Sequence, residues 1–230
     1  MYGKYMRWAY STSPFGGLIK PRMDHLASLN LDLAKKNVLE VGAGIGLLTG
    51  FFEDLGCNVL SSDGNPKLVE EIRRRYPWRR AIVLDLDKAS DVSSLGEFDT
   101  IFCYGTLYHL SRPEQALRVL SRVCREAILL ETCVSLGRYV EVSFVRDPIA
   151  ASGVGCRPTR SWVMRALRKY YGNAYITKTQ PRHQDFPLNW RITSLQMDYR
   201  AVFVGSKRRL ENPYLLDTIT DHQEMSLHER

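Results

Sequence analysis

The sequence predicts an α/β protein whose mostly parallel sheet is covered by helices on both faces. Three observations predict it. Short apolar runs alternate with stretches of helical period from residue 36 to residue 131. The links between them are short, which favours a strand–helix–strand winding in one hand. The first apolar run, Val38-Leu39 with Val41, breaks abruptly into Gly42-Ala43-Gly44-Ile45-Gly46 before a helix-like stretch. A strand, a glycine-rich turn and a helix in that order let backbone N–H groups approach a nucleotide closely.

Each element can be justified in turn. Residues 1–20 are rich in Tyr, Trp, Ser and Gly, and Ser13-Pro14-Phe15-Gly16-Gly17 reads as a turn, so an arm is expected there. Met23, Leu26, Leu29 and Leu33 fall at helical spacing after Pro21, which suits a first-turn position. Asn37–Val41 is the first strand, and a helix over residues 47–55 ends at Gly56. Asn58–Asp63 is a second strand, from which Gly64-Asn65-Pro66 turns into a helix with Leu68 and Ile72 on one face. Ala81–Leu84 is a third strand, ending at Asp85-Leu86-Asp87, and Phe98–Tyr104 is a fourth. A helix from Pro113 to about Arg125 carries Ala116, Leu117, Leu120 and Val123 on one face, and Ala127–Glu131 is the fifth strand.

Beyond Glu131 the pattern loosens. Residues 132–158 show no clear period. Thr159 caps a helix running to Tyr171, with Trp162, Val163, Leu167 and Tyr170 on a common face. Ala174–Thr177 and Arg200–Gly205 are the sixth and seventh strands. The polar tail from Asn212 is given no function.

Composition bounds the class. The chain has 230 residues, 44% hydrophobic and 25% charged, ordinary values for one soluble domain. No run of about 18 apolar residues spans a bilayer, and no apolar signal core follows Met1. Cys57, Cys103, Cys124, Cys133 and Cys156 form no CxxC pair, so a reduced, cytoplasmic protein is expected. No metal site is expected, because Cys133, Cys156 and His183 lack ligand spacing. The net charge of +7 reflects in part Arg73-Arg74-Arg75-Tyr76-Pro77-Trp78-Arg79-Arg80. Such a cluster fits an RNA-facing patch, but a solvated helix end, closed by Pro77, is the commoner origin.

The choice of nucleotide rests on the glycine loop. Leu47 stands where a dinucleotide fingerprint would place its third glycine, and Glu40 lies two residues before the first. With Asp63 ending the second strand and Asp85 the third, residues 36–131 resemble the class I S-adenosylmethionine-dependent methyltransferases. The resemblance implies a Rossmann-like three-layer sandwich around a seven-stranded sheet. It implies that Gly42, Ala43, Gly44 and Gly46 pass beneath the ribose and methionine of the cofactor. Asp63, followed by Gly64, would hold the ribose hydroxyls, which a carboxylate can accept together. Asp85 would lie near the adenine amino group, with Leu86 beside the ring and Asp87 as a competitor for the role. Glu40 matches the strand acid near the glycine loop, with orienting backbone or a water as its role rather than direct contact, and Tyr104 completes the expected cofactor set. One domain results: an arm and helix (1–35), the cofactor-binding core (36–131), acceptor-side additions (132–211) and the tail (212–230).

The acceptor end is built from later residues. Tyr104-Gly105-Thr106-Leu107-Tyr108-His109-Leu110 follows the fourth strand, where the methyl group should arrive. His109 is the one neutral-pH base there and is the candidate catalytic base, packing beneath the site being its ordinary alternative. Tyr108, Arg157, Arg160 and His183 are candidate substrate contacts, since arginines suit a phosphate, carboxylate or acidic sugar. Trp8 and Tyr10 in the arm are candidates for a lid, although large aromatics more often pack on the core. The segment from Gly105 through Glu114 resembles both small-molecule methyltransferases and tRNA wobble-uridine carboxymethyltransferases. The expected function is methyl transfer to oxygen or nitrogen of a small molecule or glycan. RNA methylation is the first alternative and a non-catalytic cofactor-binding or partner subunit the second.

Overall fold

The structure, a computed structural model, describes residues 16–137, 139–191 and 199–226. Trp8, Tyr10 and most of the expected arm lie outside the described residues. The first helix, α1, spans Gly16–Ser28 and has Pro21 inside it rather than at its start. Ile19, Met23 and Leu26 form one buried stripe, and burying it offsets the bond that Pro21 cannot donate.

The core then winds as expected. It comprises β1 (Asn37–Val41), α2 (Thr49–Asp54), β2 (Asn58–Asp63), α3 (Pro66–Arg75), β3 (Arg80–Val83), β4 (Phe98–Tyr104), α4 (Pro113–Arg122) and β5 (Cys124–Cys133). Asn65 caps α3, its Oδ1 accepting from Lys67 N at 3.0 Å, and Pro66 takes the first helical position. In that helix Val69 and Ile72 are buried, while Leu68 turns to the cleft described below. The expected pairing of Leu68 with Ile72 is therefore corrected by one residue.

The region without a sequence period folds as a separate hairpin, β6 (Val142–Arg146) with β7 (Val154–Pro158). Then follow α5 (Arg160–Tyr171), β8 (Asn173–Thr177), β9 (Thr179–Gln180), β10 (Arg200–Ser206), β11 (Leu215–Leu216) and β12 (Glu224–Met225). Thr159 caps α5 as expected, accepting from Trp162 N at 3.1 Å.

The main sheet has eight strands, not seven, in the order β11-β8-β10-β5-β4-β1-β2-β3. Strands β1 to β5 pair in parallel, whereas β10 is antiparallel to β5 and to β8. The additional strand comes from the tail, where Leu215 and Leu216 pair with Thr177 and Ile176. The tail's β12 also lies parallel to β9, so this stretch is structural.

Strand alternation divides the core between two faces. Leu39, Ile101, Ile128, Leu130 and Phe203 pack toward α4 and α5. Val38, Phe102, Leu129 and Val202 pack toward α1 and α2. The chain moves outward from β1 through β2 to β3, then returns to place β4 on the other side of β1. That reversal opens a crevice at the carboxyl ends of β1 and β4, where ligands of such sheets bind. No helix among the described residues is long and apolar enough to cross a membrane.

Candidate active site

The crevice is a cleft of about 270 Å³, with Gly44, Asp63, Asp85, Thr106, His109 and Ile149 in its walls. Its floor begins where β1 gives way to glycine. Gly42, Gly44 and Gly46 have φ of +67°, +58° and +77°, values that side chains resist. A Cβ on Gly42 would lie 1.9 Å from Thr106 Oγ1, while one on Gly44 would meet nothing within 4 Å. Gly42 is thus required by protein packing, and Gly44 leaves the loop open to the cleft. Thr106 Oγ1 donates to Val41 O at 3.0 Å, joining this loop to the one after β4.

Arg79 secures the far end of the loop. It donates to Gly46 O at 2.6 Å and pairs through Nη2 with Glu53 Oε2 at 2.6 Å. Its neighbours in the basic cluster are also engaged within the chain. Arg73 donates to Ala81 O at 2.7 Å, and Arg74 and Arg75 both meet Glu71.

The acids divide by environment. Asp63 Oδ2 accepts from Gly44 N at 2.9 Å and Oδ1 from Asn65 N at 2.8 Å. Each oxygen keeps lone-pair capacity toward the cleft. Burial raises the Asp63 pKa, against the pull of those two N–H groups. Asp85 and Asp87 both border the cleft, but Asp87 accepts from Ser111 N at 3.1 Å and Arg112 N at 2.9 Å. Asp87 is therefore committed to the entry of α4. Asp85 Oδ2 pairs with the exposed Lys88 at 2.9 Å, and Leu86 and Gly64 lie beside it.

Glu40 is not in the cleft wall. It is fully buried beneath the loop, its Oε2 accepting from Thr49 Oγ1 at 2.6 Å and Ser61 Oγ at 2.8 Å. Burial pushes its pKa up to about 7, and Oε1 has no hydrogen-bond partner. Ala43 packs toward Val69 and Ile72, and Gly46 faces Arg79, so neither belongs to the wall. Tyr104 is likewise buried, its ring 4.5 Å from that of Phe102 on the α1 face.

His109 sits on a single 3-10 turn, Leu107–His109, and borders the cleft. Its Nδ1 lies 2.6 Å from Asp147 Oδ2, a partner with no signature in the sequence reading. Asp147 belongs to the link between β6 and β7, and its Oδ1 accepts from Ile149 N at 3.0 Å. Burial works against the Asp147 charge, but the His109 bond and the Ile149 and Ala150 N–H groups hold its pKa below the usual value. Ile149, Ala150 and Ala151 complete the wall on that side.

Beside His109, Tyr108 is held by a charged group that was also not foreseen. Arg200 Nη2 donates to Tyr108 Oη at 3.0 Å, and Arg200 and Arg22 grip the two oxygens of Glu131 at 2.9 and 2.7 Å. Arg157 lies over the Tyr108 ring, 5.4 Å from its centre. The structure does not bring Arg160 and His183 to the cleft. Arg160 is buried, donates to Thr220 O at 2.6 Å and stacks 4.0 Å over Trp190. His183 Nδ1 accepts from Asp185 N at 3.3 Å.

A glycine loop with an acid ending each of the next two strands, set at the switch point of a parallel sheet, defines a nucleotide-cofactor domain. Residues 39–128 match the methyltransferase-domain family. That matched segment contains the glycine loop, Asp63 and Asp85. Curated relatives include the ubiquinone biosynthesis O-methyltransferase of Xanthomonas oryzae pv. oryzae (strain PXO99A), 31% identical over 116 residues. The match covers 49% of this chain and 48% of that protein. The corresponding enzyme of Thiobacillus denitrificans is 28% identical over 124 residues, with 52% and 53% covered. The chain thus matches about half the length of these relatives.

Among solved structures, the N-terminal domain of EvdMO1 with SAH bound superposes with a TM-score of 0.64 at 19% identity. That match covers 89% of this chain and 96% of the other. An S-adenosylmethionine-dependent methyltransferase from Mesorhizobium loti gives 0.60 at 15% identity, covering 81% and 97%. At these identities the likeness establishes the fold.

Proposed function

We propose that the protein transfers a methyl group from S-adenosylmethionine to a hydroxyl oxygen of a small molecule. The observation that carries this reading is the His109–Asp147 pair at the edge of the cleft. An oxygen acceptor must lose a proton as it is methylated, and a paired imidazole is suited to take it. The cleft residues fit the cofactor. Gly44 leaves the loop surface open, Asp63 offers two acceptor oxygens to ribose hydroxyls, and Asp85 with Leu86 borders the place for adenine. When bound, the cofactor supplies an electrophilic methyl on sulfur. The protein's part is to orient the acceptor, exclude water and receive the proton at His109 Nε2.

An anionic group on the acceptor is our reading of Arg157, which lies over the Tyr108 ring beside His109; Arg200 is already paired with Glu131. RNA is disfavoured, because Arg73, Arg74, Arg75 and Arg79 make their bonds within the chain. The test is to incubate the protein with labelled-methyl S-adenosylmethionine and a cell extract separated into small-molecule and RNA fractions. Label on a hydroxyl of a small molecule, read by mass spectrometry, is the expected result. Label confined to RNA overturns the proposal.

A further inference from the structure

We infer that Asp147 is a positioning residue, through which the β6–β7 hairpin fixes His109 so that Nε2 presents its lone pair to the acceptor. This rests on the reading of His109 as the base. The hairpin is a separate two-stranded sheet that follows β5, and it is seated on the 3-10 turn carrying His109.

Three contacts hold it there. Asp147 Oδ2 meets His109 Nδ1 at 2.6 Å. Cys156 Sγ donates to Leu107 O at 3.3 Å. Gly155 lies so close that a Cβ on it would be 2.5 Å from Tyr108 O and 2.8 Å from Asp147 Oδ2. The link between the strands is itself fixed, with Asp147 N bonded to Gly153 O at 3.0 Å and Gly153 N to Ala150 O at 2.9 Å. The carboxylate therefore has little freedom: one oxygen is tied to backbone N–H groups of Ile149 and Ala150, and the other faces His109.

The tautomer follows from donor and acceptor counting. A neutral imidazole has one N–H and one lone pair, and an ionised carboxylate only accepts. The proton must then sit on Nδ1, because the other tautomer would set two lone pairs against each other at 2.6 Å. Nε2 is left as the acceptor. When it takes the proton of the acceptor hydroxyl, the oxygen's electron pair forms the bond to the methyl carbon and the sulfur keeps the pair of the broken bond. The imidazolium so formed faces the Asp147 carboxylate. The same link supplies Ile149, Ala150 and Ala151 to the cleft wall. One inserted hairpin thus sets both the shape of the acceptor side and the orientation of the base.

The test uses the full chain with ¹⁵N-labelled histidine, saturated with S-adenosylhomocysteine. Imidazole ¹⁵N shifts of His109 should report the Nδ1–H tautomer in the wild type. Asp147→Asn keeps an oxygen for the Ile149 and Ala150 N–H groups but can donate to Nδ1. It should mix or reverse the tautomer and slow carbethoxylation of His109 by diethyl pyrocarbonate about tenfold or more. An Nε2–H tautomer in the wild type, a reading that needs no variant to fold, overturns the inference. So does a tautomer unchanged in Asp147→Asn. Turnover retained in His109→Ala would instead remove the base assignment and leave the tautomer result standing.

Discussion

The Asp63 carboxylate accepts the Gly44 N–H at 2.9 Å, so the acid we propose for the ribose also holds the glycine loop in shape. One residue links the second strand to the loop after the first. Asp63→Ala removes both roles and should weaken S-adenosylhomocysteine binding by about 2 kcal/mol, roughly thirtyfold. Titration calorimetry measures it, and an unchanged affinity would sink the assignment.

Arg79 acts on the same loop from outside the cleft. Arg79→Ala frees Gly46 O and leaves Glu53 without its partner. Urea unfolding should show a loss of about 1–3 kcal/mol. Cofactor affinity should also fall, although Arg79 does not line the cleft. Wild-type affinity in the variant would show that the loop keeps its shape without the clamp.

Glu40 predicts a pH dependence of stability. Burial raises its folded pKa to about 7, above the ordinary glutamate value of 4.5, so the folded state binds the extra proton between those values. The stability it contributes is present below about pH 4.5 and is lost as pH rises through 7. His25 runs the other way, since burial lowers its pKa to about 4 and its stability is lost as pH falls toward that value. Subtracting the wild-type unfolding free energy from that of Glu40→Gln cancels the His25 contribution. The difference should grow from pH 5 to pH 8 and reach at most about 3 kcal/mol. A difference independent of pH would show that Glu40 stays ionised.

His109→Ala should lower the methylation rate about a hundredfold or more while cofactor affinity is kept. The rate is read on the small molecule that gains label in the extract experiment. Wild-type turnover would make His109 a packing residue.

Arg160→Ala should destabilise the fold, because Thr220 O and the Trp190 face lose a buried partner. About 2 kcal/mol is expected in urea unfolding, with S-adenosylhomocysteine affinity unchanged. A lowered methylation rate at full stability would return Arg160 to the acceptor site.

The sequence by itself determined the cofactor half. The alternation of apolar runs with helical period dictated β1 to β5, and Gly42 and Gly44 with Asp63 and Asp85 marked the cleft, because these signals are local in the chain. Only the tertiary structure sets Asp85 and Asp87 apart, by committing Asp87 to the Ser111 and Arg112 N–H groups. It alone placed Arg160 and His183 away from the cleft, since the direction of a long side chain depends on what packs beside it. The hairpin left no period because β6 has no fully buried residue to impose alternation. The tail strands Leu215–Leu216 and Glu224–Met225 are two residues each, too short for any pattern. Asp147 lies 38 residues from His109, and a pairing at that separation is set by how the hairpin seats on the turn. Local repetition encodes the strands and the glycine loop, whereas the acceptor side is made of long-range contacts that exist only once the chain is folded.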